Sequence, residues 1–264
     1  MQPDEDTSTP LICPQCDRGL MPGDRPEITL SIILPALRVD ADFLRCVHAI
    51  RAALAGTVSF EIVSVVRDAD TFRSLEASDL SIVPEREPGI YAAMNQGLEC
   101  AQGKYVYFIG QDDILLPETA RAITFGMERE ADVILCDVFW GTRRIFRNPP
   151  SPRSLVWRNW CHQGIIYRRE TLCDQRLSYP VEFTVQGDHY LNIALTSGPR
   201  KLRIIKRNNC IAWYSASGFS TIHVDLLFRN QFPALVRKHF GFLFYCLVVS
   251  RRALLKLIRV KARQ

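Results

Sequence analysis

Short apolar runs alternate with helical repeats over the first half of the chain. The runs are rich in β-branched and aromatic residues and predict strands at 28–34, 60–66, 80–83, 105–109 and 133–138. Apolar residues at helical spacing predict helices over 43–54, 90–100 and 118–128. Strands that alternate with helices indicate an α/β fold, with a mostly parallel sheet covered by helices on both faces.

The second half of the chain has a less regular pattern. Residues 157–169 and 180–194 indicate loop and helix segments around an irregular lobe, and 203–205 and 211–214 are candidate strands. At the other end, residues 1–27 are rich in Pro, Asp and Gly and are expected to lack fixed structure.

Two adjacent carboxylates follow the predicted strand at 105–109. Gln111, Asp112 and Asp113 come directly after it, and ligands in open α/β sheets bind just beyond the carboxyl ends of strands. Two acids at that place suit a hard divalent cation shared with substrate phosphates. The alternative is a solvated turn in which Asp113 caps a helix.

The predicted helix at 90–100 carries a second set of candidates. Gly89 precedes its first turn, where unpaired N–H groups favour phosphate, although an ordinary turn glycine next to Pro88 fits as well. Tyr91 and Asn95 are one turn apart and share a face, either lining a ligand cleft or packing against the rest of the protein.

The segment from 84 to 117, PEREPGIYAAMNQGLECAQGKYVYFIGQDDILLP, resembles the family 2 glycosyltransferases of GT-A fold. Those enzymes carry a GIYDAMNKG pattern that is followed by a strand and two acids. The residues that fit it here are Gly89, Ile90, Tyr91, Ala93, Met94, Asn95, Gly97, Ala101, Gly103, Phe108, Asp112 and Asp113. The likeness is greatest to the bacterial branch that builds capsule, exopolysaccharide or lipopolysaccharide, and it extends more loosely over 28–220.

The resemblance implies a nucleotide-sugar donor and a divalent cofactor, Mg²⁺ or Mn²⁺. In such enzymes the second acid of the pair ligates the metal and the first lies near the ribose and diphosphate, which gives these roles to Asp113 and Asp112. The further donor-binding candidates are Pro35, Asp68, Gly89, Tyr91 and Asn95.

Two departures from the family pattern affect the nucleotide pocket. Ala36-Leu37-Arg38 replaces the usual Thr-Tyr-Asn after the proline, and Asp68 matches the base-reading acid only in a shifted alignment. The identity of the nucleotide base therefore stays open.

Asp188 is the candidate catalytic base. The family carries an acid in an EDYDL-like element at about this distance beyond the metal acids, and Gly187-Asp188-His189 resembles that element. An inverting transfer needs a carboxylate to take the proton of the acceptor hydroxyl. A lone Asp before an apolar helix is otherwise a common N-cap.

Two more segments resemble family elements. Cys161-His162-Gln163 is similar to a CHQ segment, which implies that His162 and Gln163 contact the acceptor or the diphosphate; a structural histidine is the alternative. The run from Ser217 to Ser220 is similar to a closing GGxS loop, which adds Ser220 to the same contacts.

Charge is unevenly distributed along the chain. The formal net charge is +5, and residues 226–264 hold nine Lys or Arg and no acid. Arg252, Lys256, Arg259 and Arg263 share one helical face, while Leu247, Leu254 and Ile258 lie on another. This pattern predicts C-terminal amphipathic helices that dock on an anionic membrane surface, with a core-packing helix as the alternative.

The nine cysteines are scattered among apolar segments and indicate a reducing, cytoplasmic environment. Cys13 and Cys16 have no second CxxC pair with which to bind zinc. The sequence shows no secretory signal and no stretch of the roughly 20 apolar residues that a membrane span needs.

These observations predict an inverting glycosyltransferase, peripheral at the inner face of the plasma membrane, that transfers sugar to a lipid-linked or surface glycan. A sugar nucleotidyltransferase and a catalytically silent scaffold are the alternatives; a nucleic-acid partner is not expected. The expected division is a tail at 1–27, a catalytic domain at 28–224 and a membrane-associating tail at 225–264. Residues 28–125 form the nucleotide-sugar half of that domain and 126–224 the acceptor half.

Overall fold

A computed structural model describes residues 27–68, 77–142, 144–215 and 223–261. The strands are β1 (Leu30–Ala36), β2 (Phe60–Val66), β3 (Leu80–Pro84), β4 (Tyr105–Phe108), β5 (Ile114–Leu115), β6 (Val133–Trp140), β7 (Arg144–Phe146), β8 (Ile165–Arg168) and β9 (Ile204–Tyr214). The helices are α1 (Ala41–Leu54), α2 (Ile90–Cys100), α3 (Glu118–Met127), α4 (Arg169–Asp174), α5 (Gly187–Thr196), α6 (Leu226–Phe240) and α7 (Phe242–Lys261). Short 3₁₀ helices lie at Pro152–Val156 and His162–Gly164.

All these strands join one sheet in the order β3-β2-β1-β4-β8-β6-β9-β5, with β7 paired to β6. The first four strands are parallel, β8 is antiparallel to both of its neighbours, and β6 and β9 are parallel. The α/β prediction is confirmed. The parallel part brings the ends of β1, β2 and β4 to one edge, where ligands bind in open α/β sheets.

The predicted apolar stripe of α1 is the buried face of that helix. Phe43, Val47, Ile50 and Leu54 are all buried. The helix begins where the Asp40 side chain accepts hydrogen bonds from the N–H groups of residues 42 and 43, both 3.1 Å long, as a capping aspartate does.

Two of the differences from the predicted strands have a clear physical reason. β1 continues through Pro35 to Ala36. At Pro35 the strand pairs with β2 alone, because its pairing with β4 ends at Ile33. A proline, which has no N–H to donate, is tolerated where one side of the strand is unpaired. β9 is one strand, whereas two were predicted. Its polar stretch is accommodated by a register shift against β6, and Lys206 forms an ion pair there with the buried Asp137.

Helix α6 forms part of the core. Phe228, Phe232, Leu235 and Val236 are buried in one cluster with Phe183, and the Phe228 and Phe183 rings meet edge to face at 5.4 Å. The predicted C-terminal tail therefore begins with a helix that packs against Phe183, which lies in the range 126–224.

Helix α7 follows after Gly241, which has a φ of +89° and turns the chain back along α6. Large apolar side chains remain at its surface, including Leu243 at 71% exposure and Phe242 at 65%. Within the described ranges, no helix combines the length and apolar character needed to cross a membrane.

Candidate active site

The two acids that follow β4 are held by groups from three parts of the chain. Asp113 is only 1% exposed. Its Oδ2 accepts hydrogen bonds from Gln163 Nε2 at 3.0 Å and from the Gly110 N–H at 3.3 Å, and its Oδ1 accepts one from the Ser215 N–H at 3.2 Å. Asp112 is half-buried, and the Ser215 hydroxyl donates to its Oδ2 at 2.6 Å. Asp112 is thus the more accessible carboxylate of the two.

Burial raises the pKa of the Asp113 carboxyl to about 7, and the adjacent Asp112 adds to the rise, while the Ser215, Gln163 and Gly110 donors oppose it. No basic side chain in the described ranges forms an ion pair with either acid. Two carboxylates without a basic partner are a donor set that a divalent cation fits.

The same ranges contain no group of three or more His, Cys, Asp or Glu side chains that encloses a metal ion. Mg²⁺ in phosphate-handling enzymes is commonly bound by one or two carboxylates, with substrate phosphates and water completing its shell. Asp112 and Asp113 match that open kind of site.

Gln111 links the acids to the loop that follows β1. Its Oε1 accepts from the Leu37 N–H at 2.9 Å, and its Nε2 lies 3.4 Å from Asp40 Oδ2. Pro35 is buried just before this loop, and Asp68 is exposed just beyond the end of β2. Both candidates therefore lie at the sheet edge that carries the acid pair.

The face shared by Tyr91 and Asn95 contacts the segment that leads to Asp188. The Tyr91 hydroxyl donates to the Val185 carbonyl at 2.6 Å. Asn95 exchanges two hydrogen bonds of 2.8 Å with the Tyr179 backbone. Their polar groups are thus engaged within the protein. Gly89 is exposed before α2 with a φ of +125°, and its N–H donates to Glu85 Oε1 at 3.1 Å.

Asp188 lies in the first turn of α5, whose N-cap is Gln186, so the capping alternative does not describe it. Asn159 Nδ2 donates to Asp188 Oδ2 at 2.7 Å. Asn159 Oδ1 in turn accepts from Asn192 at 3.1 Å, and Asn192 accepts from the Tyr167 hydroxyl at 2.8 Å. This chain of amides fixes the orientation of the carboxylate.

Burial raises the pKa of the Asp188 carboxyl to about 7, against the opposing effect of the His189 N–H and Asn159 donors. A carboxyl with a pKa near neutrality is well matched to proton transfer at that pH. Asn159 and Gln163 belong to one short segment and donate to Asp188 and Asp113 respectively. Between them in that segment lies the buried Cys161. Burial raises its pKa, and the charges of Asp188 and Asp113 both add to the rise.

The two polar residues of the CHQ-like segment have different partners, since His162 contacts Tyr179 and Gln163 contacts Asp113. His162 Nε2 and the Tyr179 hydroxyl lie 2.9 Å apart, and burial lowers the His162 pKa to about 4, which keeps the ring neutral. Gln163 binds Asp113. Ser220, Cys13, Cys16 and Arg263 lie outside the described residues.

Sequence reasoning missed Asn159 and Ser215. Asn159 stands three positions before His162, and Ser215 directly follows β9, but neither position has a local signal for its contact. Gly187 was noted only as part of a motif. A Cβ atom at this residue lies 2.7 Å from the Tyr91 ring, so glycine is what allows Tyr91 to approach the start of α5.

We expect Gly187→Ala to destabilise the protein by about 1–3 kcal/mol, because the added methyl overpacks a rigid ring. Gly198→Ala, beyond the other end of α5, is the matched control. Its Cβ is crowded only by the flexible end of Gln175 and meets the Leu195 carbonyl at ordinary contact distance. Urea denaturation of both variants measures the difference. Equal costs contradict the close approach of Tyr91 and Gly187.

A family model described as "Glycosyl transferase family 2" matches residues 31–186. The chain belongs to this family. It is 30% identical over 222 residues to a "PGL/p-HBAD biosynthesis glycosyltransferase" of Mycobacterium bovis, in a match that covers 78% of this chain and 85% of the relative. The family resemblance and the glycosyltransferase activity predicted from the sequence are confirmed.

Solved structures share the fold. TarS of S. aureus in complex with UDP-GlcNAc matches with a TM-score of 0.63 at 18% identity, over 80% of this chain and 65% of that one. The mannosyltransferase PcManGT of Pyrobaculum calidifontis, in complex with GDP-Man and Mn²⁺, matches with a TM-score of 0.54 at 15% identity, over 90% and 80%. The GT-A prediction is confirmed. The chain corresponds to about two-thirds of that TarS structure.

Proposed function

We propose that this glycosyltransferase is inverting and metal-dependent, and that it uses a nucleotide sugar to glycosylate a hydroxyl of a lipid-linked or surface glycan. The observation that carries the proposal is the pairing of two carboxylate sites. Asp112 and Asp113 lie at the carboxyl edge of the sheet, and the segment 159–163 links them to Asp188, because Gln163 donates to Asp113 and Asn159 donates to Asp188. The UDP-GlcNAc and GDP-Man complexes of structural neighbours support a nucleotide-sugar donor.

Asp112 and Asp113 are the proposed ligands of Mg²⁺ or Mn²⁺ at the donor diphosphate. The cation, when bound, acts as a Lewis acid on the leaving diphosphate. Gln163 and the Ser215 N–H hold Asp113 in place, and the Ser215 hydroxyl holds Asp112. Two fixed carboxylates at one edge define where the diphosphate lies.

Asp188 is the proposed general base. Its carboxylate takes the proton from the acceptor hydroxyl as the oxygen forms a bond to the sugar anomeric carbon. The bond from that carbon to the diphosphate oxygen breaks in the same displacement, and its electron pair leaves with the diphosphate. Attack on the side opposite the leaving group inverts the anomeric centre.

The remaining candidates fall into three proposed groups. Pro35, Asp68 and Gly89 border the donor at the sheet edge. Tyr91 and Asn95 act as positioning residues, because they hold the segment that leads to Asp188. His162 and Gln163 form the wall between donor and acceptor, with Ser220 proposed as a further contact. The proposed domain limits are those predicted from the sequence, with 28–224 as the catalytic domain.

A panel of nucleotide sugars tests the donor. We expect one of them, with Mn²⁺, to raise the melting temperature and to be slowly hydrolysed without acceptor. Release of pyrophosphate from a nucleoside triphosphate and a sugar phosphate identifies the nucleotidyltransferase alternative. Binding without hydrolysis or transfer identifies the silent scaffold.

The α6–α7 hairpin is proposed to hold the enzyme on the cytoplasmic face of the plasma membrane. It combines exposed apolar side chains with basic residues, and 226–264 contains no acid to offset them. Basic residues near anionic lipid contribute on the order of 1 kcal/mol each. High salt screens this attraction but leaves apolar contacts in place.

We expect Leu243→Ser with Leu247→Ser to reduce sedimentation with anionic vesicles, and high salt to release the wild-type protein only in part. Leu44→Ser with Ile145→Ser is the control, because these exposed apolar side chains lie outside the hairpin. Equal sedimentation with neutral and anionic vesicles excludes the hairpin as the docking surface. An equal loss of sedimentation in both double variants excludes it as well.

A further inference from the structure

A cavity lies away from the acid pair, between α6, α7 and the 3₁₀ helix at Pro152–Val156. Its volume is about 330 Å³, within the range of small-molecule sites. Apolar side chains form much of its lining, among them Trp157, Phe228, Val248 and Leu255. A larger groove of about 570 Å³ shares Arg229, Arg252 and Leu255 with it. The two cavities are therefore neighbours along the helical hairpin.

Three arginines line this cavity. Arg251 lies over the Trp157 ring and Arg252 over the Phe232 ring, at 5.9 and 5.6 Å, and Arg229 lines both depressions. Within the described ranges none of the three forms an ion pair. Partial burial, then the charge of Arg229, lowers the pKa of Arg252. An anion at this place relieves the repulsion between like charges.

One acid, Asp225, also lines the cavity, but it forms no ion pair with these arginines in the described ranges and leaves them in excess. Asp225 accepts hydrogen bonds from the N–H groups of Val185, Gln186 and Phe228, so its carboxylate is satisfied by backbone. The cavity therefore combines an apolar wall with a positive rim, the complement of a molecule with an apolar chain and an anionic group.

The cavity adjoins the candidate base. Gln186 and His189 line it, and these residues flank Gly187 and Asp188 at the start of α5. His189 is fixed there because its Nε2 lies 2.7 Å from the Leu155 carbonyl and its ring packs 5.2 Å from Phe228. A molecule held in the cavity therefore lies beside the turn that carries Asp188.

We propose that this cavity binds the apolar chain of an amphiphilic, anionic acceptor, a phosphorylated or similarly charged lipid, and directs its hydroxyl towards Asp188. The role of the bound molecule as acceptor rests on the proposed function. Binding of its apolar chain in the cavity does not depend on the sugar donor. It makes the arginines and the apolar wall determinants of acceptor specificity, separate from general attraction to membranes.

Calorimetric titration with monomeric dodecyl phosphate tests binding directly. We expect one saturable site, with a higher affinity for dodecyl phosphate than for either inorganic phosphate or dodecanol. Arg251→Glu lowers the affinity by about tenfold or more, because a charged hydrogen-bond donor is lost and a like charge is added. Lys238→Glu makes the same change in net charge on an exposed residue of α6 that does not line the cavity, and it leaves the affinity nearly unchanged.

A second matched pair tests the apolar wall. Leu255→Gln weakens binding about three- to tenfold through lost apolar burial, whereas Leu254→Gln, exposed but outside the cavity lining, has little effect. Loss of affinity in all four variants, or no saturable binding, overturns the inference. So does equal binding of inorganic phosphate, which indicates an anion site without a chain pocket.

Transfer of labelled sugar to a membrane lipid extract tests the acceptor role. Dodecyl phosphate should raise the KM for the lipid acceptor without changing donor hydrolysis, and Arg251→Glu should do the same. If dodecyl phosphate binds yet leaves transfer to lipid unchanged, the occupant is not the acceptor and the inference fails. If the wild-type protein does not hydrolyse any donor, the proposed function is contradicted. The titration with dodecyl phosphate still tests the cavity, because it does not require a donor.

Discussion

Asp188→Asn lowers turnover by roughly 10²–10⁴-fold, the usual loss when a general base is removed. The amide cannot take the acceptor proton, but it keeps the size of the carboxyl and still accepts the hydrogen bond of Asn159. Donor affinity therefore stays nearly unchanged. Steady-state kinetics with the donor identified by the nucleotide-sugar panel measures both quantities.

The pH dependence gives a second test of the same residue when it is measured at saturating Mn²⁺. The proposed metal ligand Asp113 also has a pKa raised to about 7, and a bound cation would keep it ionised. The Asp188 pKa is raised to about 7 by burial, and only the carboxylate form acts as base. We expect kcat/KM to rise about tenfold per pH unit below 7 and to level off above it. The folded-state pKa lies above the ordinary value, so the stabilising contribution of this carboxyl is present at low pH and is lost as the pH rises through about 7.

Asn159→Ala separates positioning from simple structural damage. Asn159 donates to the charged carboxylate, so its loss raises the Asp188 pKa further and moves the activity midpoint to higher pH. Activity should recover in part at alkaline pH. Asn209→Ala, whose side chain donates to Glu118 away from the site, is the control. A loss that is uniform at every pH shows that Asn159 serves the fold alone.

The parts of the molecule predicted from sequence are those with a local signal. The observed limits of β2 and α2 are those predicted from the sequence. The spacing of apolar residues changes at the ends of both elements, and a glycine directly precedes α2. The acid pair was found because it follows a buried strand directly. The polar middle of β9 predicts a loop between two strands, whereas the register shift against β6 and the ion pair of Lys206 with Asp137 allow one strand to continue.

The contacts that complete the site were not predictable in this way. Ser215 and Asp112 are 103 positions apart in the sequence, and Asn159 and Asp188 are 29 apart. Such pairs depend on the register of β9 and on the position of α5, which no local pattern specifies. The same applies to α6, whose sequence fits either a surface helix or a core helix, and only packing against Phe183 decides between them.

Asp113→Asn abolishes transfer and the metal-dependent part of nucleotide binding, because a neutral amide no longer offers the charge that pairs with a divalent cation. The measurement is the shift in melting temperature on adding Mn²⁺ and nucleotide together, compared with nucleotide alone. Asp42→Asn is the matched control, since that carboxylate is exposed on α1 and paired with Arg45. The control keeps the full metal-dependent shift.

The metal-free melting temperature shows whether Asp113→Asn also harms the fold, since its amide must face at least one of the N–H donors around Asp113. Asp112→Asn then divides the roles of the two acids. With Asp113 as the metal ligand, Asp112→Asn weakens nucleotide binding but retains part of the Mn²⁺-dependent shift. The reverse pattern assigns the cation to the more accessible Asp112 and leaves Asp113 as the residue that orients it. A full Mn²⁺-dependent shift in both variants removes the metal from this edge of the sheet altogether.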